Sequence, residues 1–209
     1  MDWQKLKGKF IVIDGPDGSG KSTQVKLLSK LMIDKGVPVL PLRDPGGTRI
    51  GEHIRGILLD NNNADMSVRC ELLLYMASRA QLFSQRIEPA LRQGECVLCD
   101  RWISSTYAYQ AVAGRIGPEV VLKVADTALE RSWPDLTIIV DLPSEVGLER
   151  ISGTPDRMEQ KGHKFHQRVR DAFLELADMR DDFEVIDGSS SIREVHRKIC
   201  EVIERYVHS

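Results

Sequence analysis

A glycine-rich loop near the start of the chain has the residue types and spacing that bind phosphate groups. Residues 15–22 read Gly-Pro-Asp-Gly-Ser-Gly-Lys-Ser, a complete G-x4-G-K-S pattern, directly after the apolar run 10–13. A strand before such a loop and a helix after it direct backbone N–H groups and the helix dipole at phosphate oxygens. We expect Lys21 to reach the β- and γ-phosphates and the Ser22 hydroxyl to ligate Mg²⁺. The predicted residues for binding a nucleoside triphosphate are Gly15, Pro16, Asp17, Gly18, Ser19, Gly20, Lys21, Ser22 and Thr23.

Charged side chains elsewhere can form a second anion-binding site beside this loop. Arg43 opens the segment R-D-P-G-G-T after the second apolar run, and a rigid turn there would hold its planar guanidinium toward a phosphate. Arg79 comes one helical turn after Tyr75, which offers a cation beside an aromatic ring. Asp100 and Arg101 follow the third apolar run and pair a carboxylate for Mg²⁺ or an acceptor with another cation.

Three of these side chains also have purely structural interpretations. Arg79 would then be a solvated helix residue, Tyr75 a core ring and Asp100 a helix cap. The joint placement favours a functional site, because Asp14 and Arg43 also fall at the carboxyl ends of predicted strands. Ligands of open parallel sheets bind beyond those ends.

Apolar runs of strand length alternate with helical patterns along the chain. The predicted strands are residues 10–13, 37–42, 95–99, 136–140 and 183–186. The predicted helices are a segment ending near Gly36, 50–59, about 67–93 with a kink at Pro89, 104–113, 118–131, a helix from Ser144, 159–177 and a helix after Ser191. This alternation predicts an α/β fold, a parallel sheet with helices on both faces. Two prolines place the second strand toward an edge.

The composition is that of an ordinary globular domain. We expect one domain over residues 1–209, because 209 residues bury a sizeable core and we find no internal repeat or linker. The charge is nearly balanced, 29 basic against 31 acidic residues, which predicts no nucleic acid or membrane surface as partner. With no apolar leader and no run of transmembrane length, a soluble cytoplasmic protein is expected.

Two of the four cysteines form a C-x-x-C pair, Cys96 and Cys99. Such a pair suits zinc or redox chemistry. Here, however, both cysteines lie in a predicted buried strand, where positions three apart point to opposite faces. We therefore predict that they share no metal.

The loop alone does not separate kinases from GTPases, motors and transport ATPases. A GTPase needs a guanine-selecting N-K-x-D segment, which the sequence lacks. Motors and transport ATPases usually carry larger partner-binding modules. A second anion site beside the loop favours a small kinase that phosphorylates a metabolite.

Ordered motifs along nearly the whole chain resemble the thymidylate kinase family. The segments that carry the resemblance are residues 10–24, R-D-P-G-G-T at 43–48, 72–81, D-R-W at 100–102, S-T-Y-A-Y-Q at 105–110, 134–137 and D-R-M-E at 156–159. Three positions depart from the usual family pattern. Asp44 replaces a Glu, Tyr75 replaces a Phe, and Trp102 replaces a Tyr or His.

The resemblance implies a P-loop nucleoside monophosphate kinase with a five-stranded parallel sheet, which transfers a phosphoryl group from Mg-ATP to dTMP on the route to dTTP. It also implies a homodimer packed through long helices. Carried over by position, the acceptor-binding residues are Asp17 for the sugar 3′-hydroxyl, Arg43, Arg79 and Arg101 for the phosphate, Tyr75 for stacking on thymine, Gln110 for the base edge, Tyr109 for excluding a 2′-hydroxyl, and Ser105. Ser22 and Asp100 are the metal ligands, and Lys21, Arg43, Asp100 and Arg101 are catalytic.

The resemblance leaves one catalytic cation unassigned. Family members place an Arg in the loop or in a lid after the fourth strand. In this chain the loop has no basic residue before Lys21, and the lid, about residues 150–158, is short and has arginines only at its two ends. We hypothesise that Arg150 takes the role. Other interpretations are Arg157, Lys161 or Lys164 as substitutes, or slow turnover.

Two further functions remain open at this point. The same fold can phosphorylate another acceptor, dUMP or a deoxynucleoside, and the three departures from the family pattern keep this open. A non-catalytic nucleotide-binding regulator is the third possibility. The presence of Lys21, Ser22 and Asp100 argues against it.

Overall fold

The protein is described by a computed structural model of residues 2–208. Five strands form one sheet: β1 (Phe10–Asp14), β2 (Val39–Arg43), β3 (Cys96–Asp100), β4 (Leu136–Asp141) and β5 (Phe183–Asp187). Their order is β2-β3-β1-β4-β5, and every neighbouring pair is parallel. The predicted α/β fold with a five-stranded parallel sheet is confirmed.

Helices connect the strands. They are α1 (Lys21–Asp34), α2 (Arg49–Leu59), α3 (Val68–Leu82), α4 (Glu88–Arg92), α5 (Ile103–Thr106), α6 (Pro118–Ala128), α7 (Ser144–Glu149), α8 (His163–Asp178) and α9 (Ile192–His208), with π-helical turns at Phe83–Ile87 and Tyr107–Ala113 and 3-10 turns at Trp3–Leu6 and Asn61–Asn63. Within residues 2–208, no helix combines the length and the apolar character that a membrane span requires.

β1 lies at the centre of the sheet. Val12 is in register with Cys99 of β3 on one side and with Thr137 of β4 on the other. All five residues of β1 are buried, which explains why this run is continuously apolar up to Asp14. β2 contains the exposed Pro41 and lies at the edge of the sheet, as its prolines predict.

The side chains of β1 alternate between two cores. Ile11 packs with Leu28 of α1 and Ile199 of α9 on one face of the sheet. Phe10 packs with Leu72 of α3 on the other face. The period of two residues in the strand therefore gives each face its own layer of helices. The prediction of helices on both faces is confirmed.

The long helix predicted for residues 67–93 is divided. Ser67 caps its start, because its Oγ accepts a hydrogen bond of 3.2 Å from the N–H of Cys70. A wide π-helical turn, 83–87, then separates α3 from α4, whose second residue is Pro89. Proline lacks an N–H and its ring pushes on the preceding turn, so the turn before it widens.

The helix predicted for residues 159–177 begins later, at His163. Asp156 Oδ1 accepts hydrogen bonds from the N–H groups of Met158, at 2.8 Å, and Glu159, at 2.9 Å. An Asp side chain that binds the next two amides favours a turn over a continuous helix. The segment before α8 is therefore a capped turn.

Cys96 and Cys99 point to opposite faces of the sheet. Cys96 belongs to the core that contains Ile11, and Cys99 to the core that contains Phe10. Burial raises the pKa of Cys96 to about 12, so its thiol stays protonated. The sequence-based prediction that the two thiols cannot share a metal agrees with this placement.

Candidate functional site

Two glycines of the phosphate-binding loop lie so close to neighbouring backbone that no side chain fits. A Cβ atom on Gly15 would stand 2.5 Å from the carbonyl oxygen of Val140, and one on Gly18 would stand 1.9 Å from that of Gly147. Both glycines also have positive φ angles, 137° and 73°. Because α1 begins at Lys21 directly after the loop, its first amides and its dipole face the space that the loop encloses.

Lys21 folds over this loop. Its Nζ donates hydrogen bonds to the carbonyl oxygen of Pro16, at 2.5 Å, and to Ser19 Oγ, at 3.3 Å. Burial and the positive charge of Arg101 together lower the pKa of Lys21 to about 8, although the negative charge of Asp17 opposes the shift. The site therefore holds a cation that loses its proton more easily than an exposed lysine.

Ser22, in the first turn of α1, and Asp100, at the end of β3, meet beside Lys21. Ser22 Oγ donates a hydrogen bond to Asp100 Oδ2. Among residues 2–208 there is no group of three or more His, Cys, Asp or Glu side chains that could enclose a metal. Mg²⁺ usually binds through one or two protein oxygens together with water and substrate phosphates. The two oxygen donors fit such an ion, and they are the pair predicted from the sequence.

Arg101 is held firmly at the end of β3. It has a φ angle of 69°, which is uncommon outside glycine. Its guanidinium binds Asp17, the carbonyl oxygen of Gly15 at 3.1 Å and Ser105 Oγ at 2.9 Å. It also lies over the ring of Tyr109, with 5.4 Å to the ring centroid. These contacts orient the guanidinium group of Arg101 between the phosphate-binding loop and the acceptor side.

Asp17 connects the loop to the acceptor side. Its Oδ1 accepts a hydrogen bond from the guanidinium of Arg101, and its Oδ2 accepts one of 2.6 Å from the hydroxyl of Tyr109. His166 Nδ1 lies 3.8 Å from the same carboxylate. Burial raises the pKa of Asp17, but Arg101 and Lys21 outweigh it and hold the pKa below its usual value. Asp17 is therefore an ionised hydrogen-bond acceptor at neutral pH.

One cavity of about 380 Å³ joins the two predicted sites. At its phosphate end it is lined by Asp17, Gly18, Gly20, Lys21, Ser22 and Thr23. At its other end it is lined by Arg43, Tyr75, Arg79, Arg101, Ser105, Tyr109 and Gln110, and Asp100 also lines it. Gly15, Pro16 and Ser19 belong to the loop and lie outside the lining of this cavity. The structure thus brings the two sets of predicted residues together.

Arg43 stands at the rim. Half of its side chain is exposed, and its Nη2 lies 3.2 Å from both carboxylate oxygens of Glu52. Glu52 also accepts a hydrogen bond of 2.8 Å from the N–H of Gly47. Because an exposed ion pair contributes little stability, the guanidinium can exchange Glu52 for a ligand phosphate at small cost.

Arg79 is placed differently from the prediction that it holds the acceptor phosphate. It is 1% exposed, and its Nε and Nη2 both bind Asp44. Its remaining donors bind Thr106 Oγ1, Met76 Sδ and the Trp102 carbonyl oxygen. All five N–H donors are thus occupied by protein, because a buried guanidinium must satisfy them. Arg79 supports the wall of the cavity and presents no spare donor to a phosphate in this structure.

Arg150 lies outside the cavity lining. Its side chain is exposed, and Nη1 donates a hydrogen bond of 3.3 Å to the carbonyl oxygen of Gly188. A Cβ on Gly188 would stand 3.5 Å from the carbonyl oxygen of Ser19. Gly188 therefore lies in space between Arg150 and the phosphate-binding loop. Its proposed catalytic role stays a prediction.

Two other candidates for the missing cation are already paired. Arg157 Nη1 lies 2.7 Å from Glu71 Oε2, and Lys161 Nζ lies 3.2 Å from the same atom. Lys164 is exposed near the start of α8. Of the four basic residues considered from the sequence, Arg150 and Lys164 are thus the two exposed ones.

The sequence-based prediction missed some residues that line the cavity. Arg55 of α2 lines it and donates a hydrogen bond of 3.1 Å to the carbonyl oxygen of Pro45. Met158 and Glu159 line it from the turn before α8. Helix α2 follows the motif R-D-P-G-G-T directly, and Arg55 is the second arginine of that helix after Arg49, so its place on α2 was the available clue. Met158 and Glu159 belong to the segment D-R-M-E that carries the family resemblance, but no site role was predicted for them.

The fold and the cavity define a class of protein. A phosphate-binding loop on the central strand of a parallel sheet, joined by one cavity to a pocket with cations, a Tyr ring and an amide, characterises a P-loop kinase that acts on a nucleotide.

Comparison with known proteins is consistent with this class. Residues 13–199 match the family model described as thymidylate kinase. The thymidylate kinase of Thermosipho africanus is 45% identical over 96% of this chain and all of its own length. That of Fervidobacterium nodosum is 41% identical over 95% of this chain and all of its own length. The crystal structure of thymidylate kinase from Ehrlichia chaffeensis superposes with a TM-score of 0.77 and 32% identity, covering 94% of this chain and 98% of that one. The chain belongs to the thymidylate kinase family, which confirms the resemblance described above.

Proposed function

We propose that this protein transfers, in the cytoplasm, the γ-phosphoryl group of ATP to dTMP, which gives dTDP and ADP on the route to dTTP. One observation supports this most strongly. A single cavity runs from Lys21 and Ser22 of the phosphate-binding loop to Arg101, Tyr75 and Gln110 at the other end. Two nucleotides bound from opposite ends would meet phosphate to phosphate between them, as transfer requires.

Catalysis of such a transfer rests on positioning and charge neutralisation. An oxygen of the dTMP phosphate attacks the γ-phosphorus, a new O–P bond forms, and the bond to the bridging oxygen of ADP breaks. We assign Lys21 to the β- and γ-phosphates and Arg101, with Arg43 at the rim, to the acceptor phosphate. The fixed contacts of Arg101 to the loop would hold the two phosphates in line.

Mg²⁺, held by Ser22 and Asp100, would neutralise phosphate oxygens when bound. The hydrogen bond between Ser22 and Asp100 already brings the two oxygens together beside Lys21. Asp100 would also orient the acceptor, because it lines the same cavity and directly precedes Arg101, which is assigned to the acceptor phosphate.

The sugar end of the acceptor is assigned to Asp17 and Tyr109. The low pKa of Asp17 leaves a carboxylate that accepts the 3′-hydroxyl proton in a hydrogen bond. Tyr109 is fixed against Asp17 by its hydroxyl and against Phe173 by an edge-on ring contact with centroids 6.3 Å apart. A ring so fixed leaves no room for a ribose 2′-hydroxyl beside it.

The base end is assigned to Tyr75 and Gln110. Tyr75 is half-buried and Gln110 is buried, and both line the cavity. A ring that stacks and an amide that reads the edge are the usual means of selecting a base. Burial and the negative charge of Glu71 raise the pKa of Tyr75, so its hydroxyl stays neutral.

The proposal includes a homodimer. Leu73 of α3 and Ile57 of α2 are large apolar side chains that are 59% and 46% exposed on two helices that pack together. An apolar patch on adjacent long helices suits a two-fold interface. Light scattering should give twice the chain mass for the wild type and the single-chain mass for Leu73→Asp. A wild type that stays at the single-chain mass would contradict the dimer.

An acceptor panel tests the activity. ADP release is measured with dTMP, dUMP, dGMP or thymidine, with wild type and Lys21→Ala side by side. We expect dTMP to be the best acceptor and Lys21→Ala to lose on the order of 10³-fold in rate. Faster turnover of dUMP or thymidine would reassign the acceptor. Tight binding of ATP and dTMP without ADP would identify a regulator instead.

A further inference from the structure

A buried carboxylate lies behind the base end of the cavity and has no part in the mechanism above. Glu71 of α3 is 1% exposed and does not line the cavity. Its Oε1 accepts a hydrogen bond of 2.7 Å from Gln110 Nε2. Its Oε2 lies 2.7 Å from Arg157 Nη1 and 3.2 Å from Lys161 Nζ. A buried charge is retained only where it is paired in this way.

The chemistry of this contact fixes the orientation of the Gln110 amide. An ionised carboxylate only accepts hydrogen bonds, so the amide nitrogen of Gln110 must face Glu71. Rotation of the amide by half a turn would put two acceptor oxygens against each other inside the protein. The carbonyl oxygen of Gln110 therefore points away from Glu71, and we take it to face the cavity that Gln110 lines.

The two cations are needed for this effect. A protonated carboxyl group can donate as well as accept, and it would tolerate either orientation of the amide. Arg157 Nη1 and Lys161 Nζ both pair with Glu71 Oε2, and both groups only donate, so the carboxylate acts as an acceptor here and leaves the amide one orientation. Both come from residues 157–161, the turn before α8, about 90 residues from Glu71 along the chain.

A fixed carbonyl oxygen in the base pocket selects for an N–H group on the ligand. Thymine and uracil carry N–H at ring position 3. Cytosine carries a lone pair there, which would face the Gln110 oxygen. A site built around one buried hydrogen bond rejects ligands that cannot make it, because the protein group is then left unpaired.

We propose that Glu71 is a positioning residue that sets base specificity through Gln110, by holding its amide so that the pocket accepts pyrimidines with an N3–H group. The proposal rests on the proposed function in that it takes the base end of the acceptor to lie at Gln110. Glu71 touches no substrate, and its effect is transmitted by one hydrogen bond.

Equilibrium binding of dTMP and dCMP to full-length protein tests this without relying on turnover. In Glu71→Gln the new amide can accept from or donate to Gln110, so both orientations become possible. We expect the dTMP-to-dCMP affinity ratio to fall about tenfold or more, while ATP affinity stays unchanged. Glu88→Gln is the matched control, since it makes the same change on α4, where Glu88 pairs with Arg92. An unchanged ratio in a folded Glu71→Gln protein overturns the proposal.

A double-mutant cycle separates positioning from a general structural effect. If Glu71 acts through Gln110, then Glu71→Gln should not change the affinity ratio in a Gln110→Ala background. Two independent, additive losses would show that Glu71 acts by another route and would overturn the proposal. If Glu71→Gln does not fold, Glu71→Asp takes its place, because the shorter carboxylate loses contact with the amide.

A third measurement uses the wild type alone. dTMP methylated at N3 should bind about a hundredfold or more weakly than dTMP, because the Gln110 oxygen loses its donor and meets a methyl group. Equal binding of the two compounds contradicts the inference. Selective binding of dTMP with no ADP formed would contradict the proposed function and leave the inference supported, so the two failures are distinguishable.

Discussion

The two ends of the cavity are built in different ways. At the phosphate end, main chain packs against main chain, with Gly15 against Val140 and Gly18 against Gly147. At the base end, side chains are held by other side chains, as Gln110 is by Glu71. The first construction binds phosphates of any nucleotide and tolerates no added atom. The second can be changed one hydrogen bond at a time, so it is the end where selectivity resides.

This difference decides what single substitutions do. A change in the backbone cradle should remove donor binding as a whole, because every amide of the loop moves together. A change in the side-chain network should alter selectivity and leave the donor untouched. Single substitutions at the two ends therefore test whether this contrast holds.

The largest effect is expected between the two ends, at Arg150. If its guanidinium closes over the transferred phosphoryl group, Arg150→Ala should reduce single-turnover rate on the order of 10³-fold and leave both affinities nearly unchanged. Lys164→Ala is the control, because Lys164 is the other exposed cation of this region. Normal turnover in Arg150→Ala would refute the assignment, and a loss in Lys164→Ala would transfer the role to that residue.

Gly18→Ala tests the backbone end. The added Cβ would stand 1.9 Å from the Gly147 carbonyl oxygen at a φ angle of 73°, so the loop must shift. A shift of about 1 Å in a positioned group costs roughly 10²-fold in rate. We expect that loss in kcat/KM for ATP, with a smaller loss of dTMP affinity by calorimetry, because Asp17 of the same loop is assigned to the acceptor sugar. Gly56→Ala is the matched control, because a Cβ on Gly56 meets open space. An equal loss of dTMP binding would show that the two ends are not independent.

The same contrast explains how much the sequence alone predicts. The phosphate end is encoded locally, since a strand, a turn with positive φ at Gly18 and a helix from Lys21 follow one another within the pattern. Continuous apolar runs likewise predict the buried parallel strands. The π-helical turn before Pro89 cannot be predicted from the sequence. A proline indicates that a helix is distorted, but it does not indicate the form of the distortion.

The base end depends on pairs that are distant along the chain. Arg79 binds Asp44 across 35 residues and Glu71 binds Lys161 across 90. Only the tertiary fold creates these pairs, so no local pattern shows that Arg79 is saturated or that Glu71 holds Gln110. Spacing placed the Tyr75 ring beside Arg79, whereas the role of Gln110 came from the family resemblance alone.

A pH profile tests the cation of the phosphate end. The pKa of Lys21 lies at about 8, below its ordinary value of 10.5, so the free protein loses this charge as the pH rises through 8. We expect kcat/KM for ATP to fall about fivefold between pH 8 and pH 9, and kcat, which reports the bound state, to fall only at higher pH.

The control for this profile is Lys21→Arg, which keeps its charge and should lack the decline at pH 8. The unfolded chain binds more protons than the folded one between pH 8 and 10.5, so this group should raise the free energy of unfolding with pH in that window. A flat kcat/KM profile up to pH 10 would contradict the lowered pKa.

The smallest effect is expected for Tyr75→Phe at the base end. The ring that stacks on the base is kept and only its hydroxyl is removed, so the KM for dTMP should change by about threefold or less. Tyr75→Ala removes the ring and should weaken dTMP binding about fivefold or more. ATP binding should be unchanged in both. A large effect of Tyr75→Phe would mean that the hydroxyl contacts the acceptor.

The central claim is that one cavity holds two nucleotides with their phosphates in contact. It is tested most directly by calorimetry with a ligand in which adenosine and thymidine are joined through a polyphosphate chain. We predict one ligand bound per chain, displacement of both ATP and dTMP, and an affinity on the order of 10²-fold or more above either alone. A ligand that displaces only one nucleotide, or that binds twice per chain, would contradict a shared cavity.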